Sequence, residues 1–326
     1  MEQMMITYRD NGQDNEPVTP SIERKPFIEA NTIPVKYQEI QDNHLIPVFV
    51  KDNEPAISQT EFIDVVKDVA STYYSICGLQ EEIRVSHPIK GRIPEARNKP
   101  AKELNEYEKT LYYERLMFAI ELDNVYQKMD GSLLKLSLGG IKAYNQDNLY
   151  NSKGAAEHFH FFVGFQNTIC CNLCIWTDGI KQSIKASSTE QLYKEIRKVI
   201  EEYDAVNHLS ALERFTSMEL TESQFAQLLG RARLYNYLPA EKKKNILTIS
   251  FTDTQVSTVA DSYYNDENFS RNGSESISLW KLYNLFTGAN KSSYIDKFLT
   301  RGVNAFQLTD HIAEALETGE ESWFLS

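Results

Sequence analysis

The 326-residue sequence predicts an α+β fold: a mostly antiparallel sheet of about five or six strands, followed by a helical C-terminal half. Three observations carry that expectation. Short runs of aromatic and β-branched residues crowd the first half, up to Trp176. Asp130-Gly131 and other short turn signals between them favour antiparallel pairing. After Gly179 the apolar spacing changes to the helical period of about 3.6.

Residues 1–32 are polar without a sustained period and read as a flexible N-terminal arm. Residues 45–50 (LIPVFV) read as a short buried strand. Ser58 and Glu61 make a capping box, and Phe62, Val65, Val66 and Val69 follow at helical spacing, so a helix is expected to about Tyr74. Residues 83–89 alternate as a strand, with Pro88 marking an edge or an end. Residues 116–122, 133–138, 159–165 and 168–176 are four more strands, and 146–157 read as a loop.

Three further boxes open helices. Ser188 with Gln191 leads a face of Leu192, Ile196, Val199, Ile200, Tyr203 and Val206. Thr221 with Gln224 leads Phe225, Leu228, Leu229, Ala232 and Tyr235; Thr252 with Gln255 leads Val256, Val259, Ala260 and Tyr263. Residues 277–286 and 305–316 are also expected to be helical. The organisation read from this pattern is an arm (1–32), a β-rich region (33–180), a helical region packed on the sheet (181–308) and an acidic tail (309–326). The tail ends in Trp323, Phe324 and Leu325, which suits a partner-binding or self-docking element.

Hydrophobic residues make up 41% and charged residues 25%, which is ordinary globular composition. The net charge of −12 argues against a general DNA coat but permits a local basic surface. Of Cys77, Cys170, Cys171 and Cys174, three crowd into five residues, too close for a disulfide framework, which favours a reducing cytoplasm. No secretory signal and no membrane-length apolar run is read.

Motifs for nucleophilic, phosphate-loop, dinucleotide or zinc-protease chemistry are absent, and no cofactor is called for. His158 and His160, two apart on a strand, are weak metal candidates with the downstream cysteines. A hairpin turning on Gln166-Asn167 pairs Phe159 with Cys174 and separates histidines from cysteines; a turn one residue longer brings them together. Glu121 and Asp123 share a strand face, but the rest of a nuclease-type metal pattern is missing. His87, His208 and His311 read as surface or capping residues.

Charge is more suggestive. Between Ile83 and Lys102, Arg84, Lys90, Arg92, Arg97, Lys99 and Lys102 face only Glu95, a net of +5. Gly91, Pro94 and Pro100 keep that stretch extended, and extended basic backbone suits phosphate contact. Arg231, Arg233, Lys242, Lys243 and Lys244 against Glu241 give +4, with Tyr235 and Tyr237 available to stack on bases. The bland alternative is a pair of solvating patches within an acidic protein.

Residues 86–98 (SHPIKGRIPEARN), 112–120 (YYERLMFAI), 162–179 (FVGFQNTICCNLCIWTDG) and 279–306 (LWKLYNLFTGANKSSYIDKFLTRGVNAF) resemble an uncharacterised domain-of-unknown-function family of Bacteroidetes mobile elements. Cys171-Asn172-Leu173 and Trp280 to Asn284 are similar, more distantly, to signature blocks of a phage- and plasmid-encoded family, with Lys281 and Leu285-Phe286 departing from its pattern. The resemblance implies a bacterial mobile-element context and supplies no activity or catalytic residues. Asn172 is expected to be fully hydrogen-bonded in an apolar strand. Three classes of function follow. They are a nonenzymatic protein binding single-stranded or duplex DNA, a protein-binding accessory or anti-defence factor, and a metal-dependent enzyme.

Overall fold

The computed structural model describes residues 7–8, 25–43, 57–74, 79–96, 98–144 and 156–326. Its centre is built by strands that alternate between two apolar faces. In chain order the first half contains β1 (Thr7–Tyr8), β2 (Ile33–Val35), α1 (Tyr37–Asn43), α2 (Gln59–Tyr73), β3 (Leu79–Val85), β4 (Pro88–Arg92), β5 (Lys109–Tyr113), β6 (Arg115–Met129), β7 (Ser132–Ala143), β8 (Glu157–Asn167), β9 (Leu173–Cys174) and β10 (Ile180–Ala186). The main sheet runs β10-β8-β7-β6-β3-β2, all antiparallel. One edge of β6 is taken by β7, and the other by β3 as far as Leu122 and then by β1 at Val125 and Tyr126. β8 divides its outer edge in the same way between β10 and β9. Asp130 (φ 43°) and Gly131 (φ 72°) close the β6–β7 hairpin in the left-handed conformation that such a turn needs.

The second half contains α3 (Thr189–Glu202), α4 (Ala205–Arg214), β11 (Glu219–Thr221), α5 (Glu222–Tyr235), α6 (Ala240–Lys243), α7 (Asp253–Asn265), β12 (Ser276–Ser278), α8 (Leu279–Asn290) and α9 (Ile295–Thr318). The expected α+β class, with a helical C-terminal half, is therefore observed. The caps at Ser58, Ser188, Thr221 and Thr252 each accept a hydrogen bond from the residue three positions on.

Leu116, Phe118, Ile120, Leu136, Leu138, Phe159, Phe161 and Val163 face the larger core, with α2, α3 and the C-terminal helices. Met117, Ala119, Ile141 and Phe162, on the opposite parity, face a smaller core with Phe27, Ile28, Phe298 and Leu299. Gly140 lets α2 settle on the sheet: a Cβ there would lie 2.4 Å from the Phe62 ring. The start of α2 is tied down by charge. Lys142, fully buried, meets Glu157 at 2.5 Å and lies over the Phe159 ring, while the other Glu157 oxygen accepts from the Ile57 amide at 3.0 Å. Among the described residues no helix is long and apolar enough to cross a membrane.

Several expectations change. The strand at 45–50 lies outside the described residues. Phe27 and Ile28, assigned to the arm, are fully buried, because the smaller core needs apolar cover. The strand expected over 83–89 breaks at Ser86-His87, where Ser86 Oγ accepts from the Arg115 amide and the chain leaves the sheet. The strand over 168–176 shrinks to β9, since Cys171 adopts φ 57° and its amide bonds Asn167 O at 2.7 Å. Consequently Cys174 pairs with Phe165, not Phe159. Val206 does not continue α3: Asp204 caps a separate helix, α4, and leaves Val206 exposed. The sheet extends past residue 180 to Ala186, and α9 crosses the expected boundary at 308. The tail is no separate segment, because α9 runs to Thr318 and Phe324 is buried beside His311.

His208 was read as a surface or capping residue, and it is fully buried. Its Nδ1 lies 2.7 Å from the Tyr203 hydroxyl, and Phe165, Trp176 and Phe306 surround the ring. Burial pulls its pKa from 6.5 to about 3. The unfolded chain thus takes up a proton on this side chain that the folded protein refuses. Stability attributable to it is full above about pH 6.5 and falls as pH drops toward about 3. Between pH 7 and pH 5 the wild type is expected to lose about 2 kcal/mol more than His208→Phe, measured by urea unfolding at each pH. In the same assay at pH 7, Lys142→Met is expected to cost about 3–5 kcal/mol, because it strands the Glu157 carboxylate inside the protein.

Candidate functional site

The basic stretch forms a ribbon. Among the described residues β4 and β5 pair only with each other, from Pro88 opposite Tyr113 to Arg92 opposite Lys109, as a two-stranded sheet apart from the main one. Its far end, residues 98–107, is exposed almost throughout, and Tyr107 is 76% exposed. Lys102 stands in solvent there. Arg92 turns inward and donates to Lys99 O, and Lys99 itself is held by the Glu108 carboxylate. Lys90 lies on β4; Arg97 is outside the described residues.

The other predicted contacts do not join this surface. Arg84 lies on β3 and is 9% exposed, with Nε donating to Thr32 Oγ1 and Nη2 to Thr32 O, both at 3.1 Å. Burial also lowers its pKa, so its guanidinium serves the fold. Arg231 donates to Ser326 O at 2.5 Å and stacks over Trp323, and Arg233 pairs with Asp253 at 3.5 Å. Tyr235 is 6% exposed beside Trp323, so its ring cannot receive a base. That cluster anchors the last residues of the chain.

At the base of the ribbon a cleft of about 400 Å³ opens between residues 30–32, Ser86-His87, Arg115 and the start of α9. Arg115 is clamped between Glu114 and Asp296, each at 2.8 Å, while Asp296 Oδ1 has no hydrogen-bond partner. Exposed His87, Lys297 and Tyr294 (61% exposed) form its rim. His160 lies on the same side of the sheet. Burial lowers its pKa, and the nearby Asp296 charge opposes that shift. Cys174 packs in the opposite core, so the cysteine and the histidine pair do not converge. No group of three or more His, Cys, Asp and Glu side chains suited to a metal occurs among the described residues. Glu121 and Asp123 face Lys135, at 3.8 and 2.7 Å.

A second, polar pocket of about 180 Å³ lies between α7, α8 and residues 167–172. Here the two blocks singled out from sequence meet. Asn172 is buried, though in the loop rather than a strand; its Nδ2 donates to Asn284 O at 3.0 Å, and its Oδ1 has no partner. Asn284 Nδ2 donates to Trp280 O one turn back at 2.9 Å, and its Oδ1 accepts from Asn167 Nδ2 at 3.4 Å. Lys291, which sequence reasoning missed, donates to Cys170 O. Burial pulls the Lys291 ammonium pKa down and pushes the Cys170 thiol up to about 12, so the thiol is not a nucleophile at neutral pH. The only signal for this pocket in the sequence was the asparagine in each block.

Fold and sites define an α+β protein with a charged ribbon, a cleft at its base and an amide-lined pocket. The chain belongs to the DUF3871 family, described as a domain of unknown function, B. Theta Gene description, whose model matches residues 11–325. No curated protein and no solved structure matches. Asn284→Ala is expected to lower stability by about 1–3 kcal/mol in chemical denaturation, because it removes the buried acceptor of the Asn167 side-chain amide.

Proposed function

We propose that the chain is a nonenzymatic nucleic-acid-associated protein of a phage- or plasmid-like element, contacting phosphate backbone along the β4–β5 ribbon and the cleft at its base. The observation that carries the reading is continuity. The exposed ribbon, with Lys102 and Tyr107 toward its end, leads down to a cleft rimmed by Lys297, His87 and the exposed Tyr294 ring. A two-stranded ribbon is of a width that enters a duplex groove, and exposed tyrosines stack on bases of any sequence. Arg84, Arg231, Arg233 and Tyr235 have no part in it. From Pro88 to Tyr113 the ribbon holds six basic residues and four glutamates, a net of +2, so only a few phosphates are neutralised.

Binding to labelled single-stranded DNA, followed by fluorescence anisotropy, is expected to weaken with salt with a log–log slope of roughly −2. Replacing both Lys102 and Lys297 by alanine is expected to flatten that slope by about 1.4. Absence of binding at low salt removes the reading. The mixture of Glu103 and Glu106 with Lys102 in the stretch that carries the exposed Tyr107 favours a protein partner as the second reading. A stoichiometric partner that survives nuclease and is lost with Tyr107→Ala would support it.

A further inference from the structure

We infer that Arg301 and Lys297, one turn apart on α9, form a seat for a single phosphate-class oxyanion. Arg301 is half-buried, and part of its guanidinium is committed to the fold: Nε donates to Ser250 O at 2.9 Å and Nη1 to Ser293 Oγ at 2.8 Å. Among the described residues Nη2 has no hydrogen-bond partner, and it is open to solvent. Burial lowers the Arg301 pKa, and no neighbouring carboxylate opposes that shift. Arg115, Arg214 and Arg271, half-buried as well, pair with carboxylates, and Glu82 and Glu29 lie near Arg84. Arg301 takes part in no ion pair among the described residues. A partly desolvated guanidinium with open donors and no counter-charge favours an anion.

The sequence around Arg301 carries the same sign. Residues 242–252, 276–295 and 297–309 include the loop, the corner and the helix turn that hold it, and none of them is aspartate or glutamate, although the chain has 46 acidic residues. Asp296, which separates the last two segments, is turned to Arg115. In a protein of net charge −12, these acid-free segments are where an anion is least repelled. Lys297 is exposed on the same helix face, four residues before Arg301 and about 6 Å from it along the axis, so both side chains reach one tetrahedral group. The guanidinium is set before any ligand arrives. Ser250 is itself held by Asn304, whose Oδ1 accepts from the Ser250 amide at 2.8 Å and whose Nδ2 donates to Thr248 O at 2.6 Å. A planar fork beside a point charge suits an oxyanion with three or more acceptor oxygens better than a carboxylate with two. As a seat for the phosphodiester of a strand, this site rests on the nucleic-acid reading above; as a seat for free phosphate it does not.

Inorganic phosphate titrated into the full chain, against chloride at equal ionic strength, is expected to raise the thermal unfolding midpoint by about 2 °C or more. Arg301→Met is expected to abolish that difference. So is Lys297→Glu, which gives Arg301 a carboxylate four residues before it and is expected to keep the unliganded midpoint, since that pairing supports a helix. With labelled single-stranded DNA, Arg301→Met is expected to flatten the salt slope by about 0.7, one phosphate contact, close to what Lys102 and Lys297 leave of it. That result assigns the seat to a strand. An unchanged slope with an Arg301-dependent phosphate shift assigns it to free phosphate. The same shift in a protein that binds no DNA leaves the seat standing while the nucleic-acid reading falls. Absence of both the phosphate shift and the slope change overturns the inference. So does an equal shift from acetate, which would mark a general anion effect, and so does a phosphate shift that survives in Arg301→Met, which would mark salting out or another site.

Discussion

The constraint on which the molecule depends is that β6, β7 and β8 are apolar on both sides. Neighbouring residues on a strand point in opposite directions, so Phe161 and Phe162 enter different cores, as do Met117 and Phe118. One layer of helices can cover only one side. The opposite side is closed by the first turns of α9 together with Phe27 and Ile28, while the later turns of α9, from Ala305 to Ala313, return to the larger core. Burying both faces of a sheet leaves few places for charge. Where charge does enter, at Lys142 and Glu157, it is paired and used to hold the beginning of α2.

Much of this architecture was legible because it is local. The capping serines and threonines, Asp130-Gly131 and the apolar run of residues 116–122 act within a few residues, and each produced the element that its chemistry favours. What depends on partners distant in sequence was not legible. Residues 168–171 carry strand-like side chains, but the Asn167 carbonyl and the Cys171 turn decide their path. Phe27 and Ile28 sit in polar surroundings along the chain, and only the far face of the sheet reveals why they are there. His208 offers no pattern of its own; its burial comes from Phe165, Trp176 and Phe306, which lie far away in sequence.

The sites divide in the same way. A count of basic residues found the ribbon, because composition alone reports charge. It also gathered Arg84, which hydrogen-bonds Thr32 beneath the surface, and it left out Glu103, Glu106 and Glu108 in the turns that lead back into β5. Tyr235 was assigned both to a helix face and to a stacking surface, and one side chain cannot serve both: burial against the helix core prevailed. The amide-lined pocket needed tertiary contact to appear at all, since Asn172 and Asn284 are separated by more than a hundred residues and joined by a single hydrogen bond.

The carbonyl of Lys291 accepts from the amides of both Glu29 and Ala30. Glu29 stands in the wall of the amide-lined pocket and Ala30 in the wall of the cleft beneath the ribbon. The two linings therefore meet at adjacent residues, hung from the corner between α8 and α9. Both walls thus take part of their position from one acceptor, and a substitution that displaces it bears on the two cavities together.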